Sequence, residues 1–309
     1  MLKKIIGFLI IFLIIIAAFN YNAGIEVEEL YPKYLTEESK IIDIQGMPVH
    51  YRQTGSGPNL LLIHGVASSL HTWQEWHEIL SKNFTVTSFD LPSFGLTGPN
   101  PKNDYSVEMY MTVMDELLNH LQIEKTHIAG NSFGGFLTWH YALHNPNITD
   151  KIILSNSAGI KTHKSSVRDS GFKLFINPLT KKIAHRFTPK FLIKKSLRNT
   201  YEDDKLVTNE VVTRYRDVLV RKGNREGFSE VLTKTILSGE DNISKIKGIK
   251  TPTLIIWGKN DNIIPSEEAQ IFKEAISGSK VIIYENVGHL PMEEIPEKSA
   301  KDALDFLIN

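Results

Sequence analysis

Short apolar runs recur along the chain, separated by longer stretches in which apolar positions return every third or fourth residue. The runs at 59–63, 84–89, 126–130, 151–155, 252–257 and 280–284 predict buried strands. Ser39 to Ile44 and Met47 to Arg52 predict an opening antiparallel pair. Helices are predicted at Ser106 to Leu121, Phe136 to Leu143 and Ser266 to Ala275, and a final one at about Pro296 to Leu307. Such alternation predicts an α/β fold, a mostly parallel sheet with right-handed crossovers.

Two segments break the alternation. Residues 160–246 separate the sixth strand from the seventh, where a short crossover would suffice. This stretch carries apolar clusters (Phe172 to Ile176, Phe191 to Ile193, Val211 to Val220) broken by Pro178 and Pro189. From Lys161 to Thr200 it holds eleven Lys or Arg against one acid, Asp169. Basic side chains interleaved with Phe, Leu and Ile suit either a solvated helix face or one resting on anionic lipid.

The other is the N-terminus, where Met1-Leu2-Lys3-Lys4 precedes an uncharged run from Ile5 to Ile25. As a helix this run spans about 31 Å, enough for a bilayer core. Its densest part, Ile5 to Phe19, is also of signal-peptide length, but Ala17-Ala18-Phe19-Asn20 makes a poor cleavage site. Residues 1–25 therefore predict an uncleaved single-pass anchor in preference to a cleaved signal that would release a secreted protein. Lys3 and Lys4 on one flank and Glu26, Glu28 and Glu29 on the other place the following domain outside the cytoplasm. The chain has no cysteine, which excludes a lipid-anchored N-terminal cysteine and any disulfide. Lys and Arg balance Asp and Glu at 35 each, so net charge suggests no nucleic-acid partner. Nothing in the sequence sets an oligomeric state.

The candidate chemistry lies at strand ends. Thr126-His127-Ile128-Ala129 runs straight into Gly130-Asn131-Ser132-Phe133-Gly134-Gly135, a G-x-S-x-G between a predicted strand and a helix. That is the context of a nucleophile elbow, whose small residues let a sharp turn expose the serine. A serine hydroxyl needs a base, and the base needs an acid to orient it. Asp261 follows the strand ending at Gly258, and His289 follows the strand at 280–284. The order Ser132, Asp261, His289, each past the carboxyl end of a strand, matches the place where open α/β sheets bind ligands. Asn59 to Ile63 ends in His64-Gly65-Val66, so the backbone amides of Val66 and Phe133 are the candidate oxyanion donors. His64 is expected to brace this loop, since His289 already fits the position of the base.

These segments, with Asp90-Leu91-Pro92-Ser93-Phe94-Gly95 and Trp257-Gly258-Lys259-Asn260-Asp261, resemble the α/β-hydrolase superfamily, specifically its single-serine esterases, lipases and carbon–carbon bond hydrolases. The resemblance runs from about residue 40 to the C-terminus, apart from the insertion. It implies an eight-stranded, mostly parallel sheet with helices on both faces, a hydrolase core at 26–159 and 247–309, and a helical cap at 160–246. Ser93 stands where this group usually has glycine, and Asp90 is expected to order that turn. A serine nucleophile also argues against haloalkane dehalogenase or epoxide hydrolase chemistry, which uses aspartate.

The sequence thus predicts a serine hydrolase of carboxylic esters with an acyl-enzyme intermediate and no metal or organic cofactor. Its expected partners are a small-molecule or lipid ester and a membrane, met through the N-terminal segment and the basic cap. Rival readings are carbon–carbon hydrolysis, amide hydrolysis or acyl transfer by the same triad, or a non-catalytic binding protein on this scaffold. His140 and His144 have a metal-like spacing but no third ligand in the sequence, and Trp73, Trp76 and His77 are expected in the core.

Overall fold

The computed structural model describes residues 23–160, 170–236 and 242–309. Residues 1–22, which hold most of the expected anchor, lie outside the described residues, as do 161–169 of the basic stretch. Among the described residues no helix is long and apolar enough to cross a membrane.

Eight strands form one sheet: β1 Ser39–Ile44, β2 Met47–Thr54, β3 Asn59–Ile63, β4 Thr85–Phe89, β5 Thr126–Asn131, β6 Thr149–Ser155, β7 Thr253–Gly258 and β8 Lys280–Tyr284. Their order is β1-β2-β4-β3-β5-β6-β7-β8. β2 pairs antiparallel with β1 and β4, and every other pairing is parallel. The sheet is covered on both faces because successive side chains of a strand point to opposite sides. Leu61, Ile63, Ile128, Ile255 and Trp257 join one apolar cluster with the helices Val107–His120, Phe133–His144 and Glu267–Ala275. Their neighbours Leu60, Leu62, Ala129, Leu254 and Ile256 join a second cluster with the helices Gln74–Leu80 and Pro296–Ile308. Fully buried aliphatic side chains like these cost about 2–5 kcal/mol each when cut to alanine.

Two helices differ from their expected bounds for local reasons. The helix after Ser132 starts at Phe133, three residues earlier than the apolar spacing suggested, because the turn feeds directly into its first residue. The helix Val107–His120 begins where Ser106 Oγ accepts from Met109 N at 3.2 Å, an N-cap that satisfies one of the otherwise unpaired amides.

Between β6 and β7 the described chain forms the helices Ser170–Ile176, Lys181–Ala184, Lys190–Thr200, Asn209–Val220, Asn224–Val231 and Ile243–Ile246. Phe228 anchors this segment, with its ring against Phe94, Phe172 and Phe175. Asn224 donates to Gly95 O at 3.0 Å, so the segment is seated on the loop that follows β4. Residues 24–34 run along the same helices. Ile25 N donates to Val220 O at 3.0 Å, Lys222 N donates to Ile25 O at 2.8 Å, and Lys33 and Tyr34 both bond Asp217. Residues 24–34 are therefore tied to the helical segment before the chain enters the sheet.

Candidate active site

β5 passes into the helix Phe133–His144 through Ser132 alone, with φ 55° and ψ −116°. A residue with a side chain pays about 1–3 kcal/mol for such a conformation and keeps it only where its surroundings over-determine it. Here Ser132 N donates to Ser155 O, and Ser132 O accepts from Phe136 N and Ala158 N, all at 3.0 Å. The glycines are required by close approach. A Cβ on Gly134 would stand 2.1 Å from Ile63 O, and one on Gly130 would stand 2.2 Å from Gly134 O.

Asp261 and His289 meet at the carboxyl end of the sheet. Asp261 Oδ2 lies 2.7 Å from His289 Nδ1 and accepts from Asn156 Nδ2, also at 2.7 Å. Its other oxygen accepts from Ile263 N at 2.7 Å and Ile264 N at 3.0 Å. An ionised carboxylate only accepts, so Nδ1 carries the proton and Nε2 is left with a free lone pair. His289 is held through its backbone as well: its N donates to Thr200 O at 2.8 Å, and its O accepts from Asn131 Nδ2 at 3.1 Å. Asn131 directly precedes Ser132, so the elbow and the imidazole loop are joined. Among the described residues the Ser132 hydroxyl makes no hydrogen bond.

The loop after β3 leans on the serine. A Cβ on Gly65 would come within 3.1 Å of Ser132 Cβ. Phe133 N is at the first turn of its helix, where amides have no intrahelical partner. Neither it nor Val66 N donates a hydrogen bond among the described residues. His64 braces this loop, as its place in the sequence suggested. Nδ1 donates to Gly65 O at 2.7 Å, while Nε2 accepts from Leu91 N at 2.9 Å. Complete burial pushes its pKa down, which keeps the ring in the neutral form these two bonds need.

Asp90 orders the turn after β4. Its carboxylate accepts from Leu70 N at 2.7 Å and Leu96 N at 2.8 Å, and faces His50 Nδ1 at 2.8 Å. Burial alone would raise its pKa; His50 and these donors outweigh burial and hold it below the usual carboxylate range. Ser93 takes φ 75°, the left-handed conformation that glycine adopts without strain.

Two contributors escaped the sequence reading. Asn156, with φ 45°, donates to Asp261 and, at 3.3 Å, to Gly288 O. It directly follows β6, and a polar residue at the carboxyl end of a parallel strand was the available signal. Glu294 accepts from Gly288 N at 3.0 Å, Leu290 N at 3.3 Å and Glu202 N at 2.8 Å, bracing the loop on both sides of His289. Burial pushes its carboxyl pKa up. Of the other residues singled out earlier, Trp73, Trp76, His77 and His140 pack in the core, whereas His144 is exposed. Trp73 and Trp76 are fully buried, His77 bonds Thr54 Oγ1 at 2.7 Å, and His140 is stacked on Trp139 with ring centres 3.8 Å apart.

Comparison with known proteins places this geometry in a family. The family model for the alpha/beta hydrolase fold matches residues 58–296. Monoacylglycerol lipase ABHD6 of Bos taurus is 28% identical over 82% of this chain and 76% of that protein. A 2-hydroxy-6-oxononadienedioate/2-hydroxy-6-oxononatrienedioate hydrolase of Pseudomonas putida is 27% identical over 86% of this chain and 92% of its own length. Among solved structures, a putative lipase of Acinetobacter baumannii is 27% identical, with a TM-score of 0.76, over 87% of this chain and 90% of that one. The chain belongs to the α/β-hydrolase family and is a hydrolase of that fold.

Proposed function

We propose that this hydrolase cleaves carboxylic esters with Ser132 as nucleophile, His289 as base and Asp261 as the group that orients the imidazole. The observation that carries the reading is the buried His289–Asp261 pair beside a serine held in a strained turn. In this mechanism Ser132 Oγ attacks the carbonyl carbon and passes its proton to His289 Nε2. The imidazolium that forms is stabilised by Asp261, whose four hydrogen bonds hold its carboxylate in place. The amides of Val66 and Phe133 receive the oxyanion, each being free to donate. Collapse expels the alcohol with the proton from His289 and leaves an acyl-enzyme. Water, deprotonated by His289, then releases the acid. No step requires a metal or organic cofactor.

Carbon–carbon hydrolysis by the same groups is the second reading, supported by the similarity to the Pseudomonas putida enzyme. A series of p-nitrophenyl esters from acetate to palmitate, run beside a vinylogous 1,5-diketone, separates the two. Turnover of the diketone alone would overturn the ester reading, and an optimum among long acyl chains would identify a lipid ester as substrate.

We further propose that residues 1–25 anchor the protein in a membrane with the catalytic domain outside the cytoplasm, or direct its secretion, and that residues 160–246 form a cap over the site. The cap's lipid-facing surface is the one carrying Leu179, Ile183 and Phe191, which are 86%, 63% and 64% exposed beside Lys181, Lys182, Lys190 and Lys194. Lysines around apolar side chains suit anionic lipid. Phe191→Trp tests this, because all four native tryptophans are buried. Quenching of the new tryptophan by brominated lipid in anionic vesicles is expected, and its absence at low salt would remove the cap from the membrane.

A further inference from the structure

One carboxylate ties together the three segments that the proposed chemistry needs. Glu293 lies four residues after His289. Its Oε1 accepts from Thr72 Oγ1 and from Tyr215 OH, each at 2.6 Å. Its Oε2 accepts from Tyr201 OH at 2.6 Å and from Arg214 at 3.3 Å. Thr72 belongs to the turn Leu70–Trp73 that leaves the loop carrying Val66. Tyr201, Arg214 and Tyr215 belong to the helical segment between β6 and β7. Burial, reinforced by the facing Glu293 carboxylate, raises the pKa of both tyrosines, so both remain donors across the working pH range.

The tie reaches the imidazole through a short path. Tyr201 follows Thr200, whose carbonyl accepts from His289 N at 2.8 Å. The next residue, Glu202, donates its N to Glu294 and accepts from Asn260 Nδ2 at 2.9 Å. Residues 200–202 thus rest on the loops of both His289 and Asp261, and Glu293 holds the tyrosine at their centre. Releasing Tyr201 and Tyr215 would free this end of the helical segment and, with it, the carbonyl that fixes the His289 backbone. Loss of the carboxylate itself would also leave Thr72 and Arg214 without their shared acceptor.

We propose that Glu293 is a positioning residue: by seating the helical segment on the loops of Val66 and His289, it sets the geometry of the imidazole and the oxyanion donors without touching substrate. The inference rests on the serine-hydrolase reading above. It differs from a simple stabilising tie in what it controls. A tie that served stability alone would lower the melting temperature and leave the reactivity of Ser132 unchanged.

The test is the rate at which a small fluorophosphonate labels Ser132, read by mass spectrometry on the full chain, with Ser132→Ala as blank. The reagent needs the nucleophile, base and oxyanion donors but no particular substrate. Glu293→Ala is expected to slow labelling about tenfold or more, as displacements near 1 Å do to reacting groups. Turnover of a short ester should fall by the same factor in kcat with little change in KM. Glu293→Gln, which keeps an oxygen facing Thr72 and Tyr215, should recover most of the rate. Should Glu293→Ala fail to fold, the double variant Tyr201→Phe, Tyr215→Phe removes two donors with little change of shape and must show the same slowing. Labelling of either folded variant at the wild-type rate overturns the proposal while leaving the triad intact. Absence of labelling at Ser132 in the wild type overturns the serine mechanism and this inference with it.

Discussion

His289 Nδ1 donates to Asp261 Oδ2 across 2.7 Å, and the same oxygen receives Asn156 Nδ2 at the same distance. The pair is buried, so the carboxylate has traded water for fixed donors that choose the tautomer of the ring. Asp261→Asn would turn an amide N–H toward Nδ1 and favour the wrong tautomer. A loss of about three to four orders of magnitude in kcat is expected. KM should change little, because the Ile263 and Ile264 amides keep an oxygen to bond. Steady-state kinetics beside a thermal melt would check this, and a fall in kcat of only a few fold would contradict it.

Asn156 supports the acid directly and reaches the loop of the base only through the Gly288 carbonyl. Removing its Nδ2 by Asn156→Ala deletes one charge-assisted bond, worth about 1.5–3 kcal/mol. If about half of that is felt only in the transition state, kcat falls about three- to tenfold. An unchanged kcat with a lowered melting temperature would limit Asn156 to holding the backbone of Gly288.

The elbow tolerates no added atom at Gly134, whose Cβ would stand 2.1 Å from Ile63 O in the central strand. Gly134→Ala should destabilise the fold by about 3 kcal/mol or more, since backbone and not a flexible side chain must yield. Urea unfolding measures this directly. A melt superimposable on the wild type would mean that the helix Phe133–His144 shifts easily, and the strain assigned to Ser132 would have to be withdrawn.

His140 sets a pH dependence of stability. Neither ring nitrogen has a hydrogen-bond partner among the described residues. Burial, with smaller contributions from Lys245 and His144, pushes its pKa down to about 3. The unfolded chain takes up a proton near the ordinary histidine value and the folded one does not. The stability contribution is therefore complete above about pH 6.5 and is lost as pH falls toward the folded pKa, reaching about 2 kcal/mol at pH 5. His140→Phe keeps the stacking on Trp139 without the titration. Its melting temperature should match the wild type near pH 8 and exceed it near pH 5. Parallel curves across that range would contradict the assignment.

The sheet was legible because its strands are apolar runs bounded by turns, and the order Ser132, Asp261, His289 was legible because each follows such a run. What escaped are contacts that leave no period in the sequence. Asn156 reaches Asp261 across 105 positions. Tyr201 reaches Glu293 across 92. The path of residues 24–34 escaped for the same reason. Lys33 and Tyr34 give no sign of a partner until Asp217, some 184 positions away, is placed beside them. Ser93 shows the limit of motif reading from the other side: the turn forms with serine at φ 75° because Asp90 supplies its hydrogen bonds.

Ser132 is proposed as the nucleophile of an ester hydrolase. The most direct measurement is turnover of p-nitrophenyl esters by the wild type and by Ser132→Ala, with intact mass recorded early in the reaction. Turnover in the wild type, an acyl adduct on the peptide containing Ser132, and loss of both in the variant are expected. Equal turnover by Ser132→Ala, or a folded wild type that hydrolyses no ester of any length, would contradict the account.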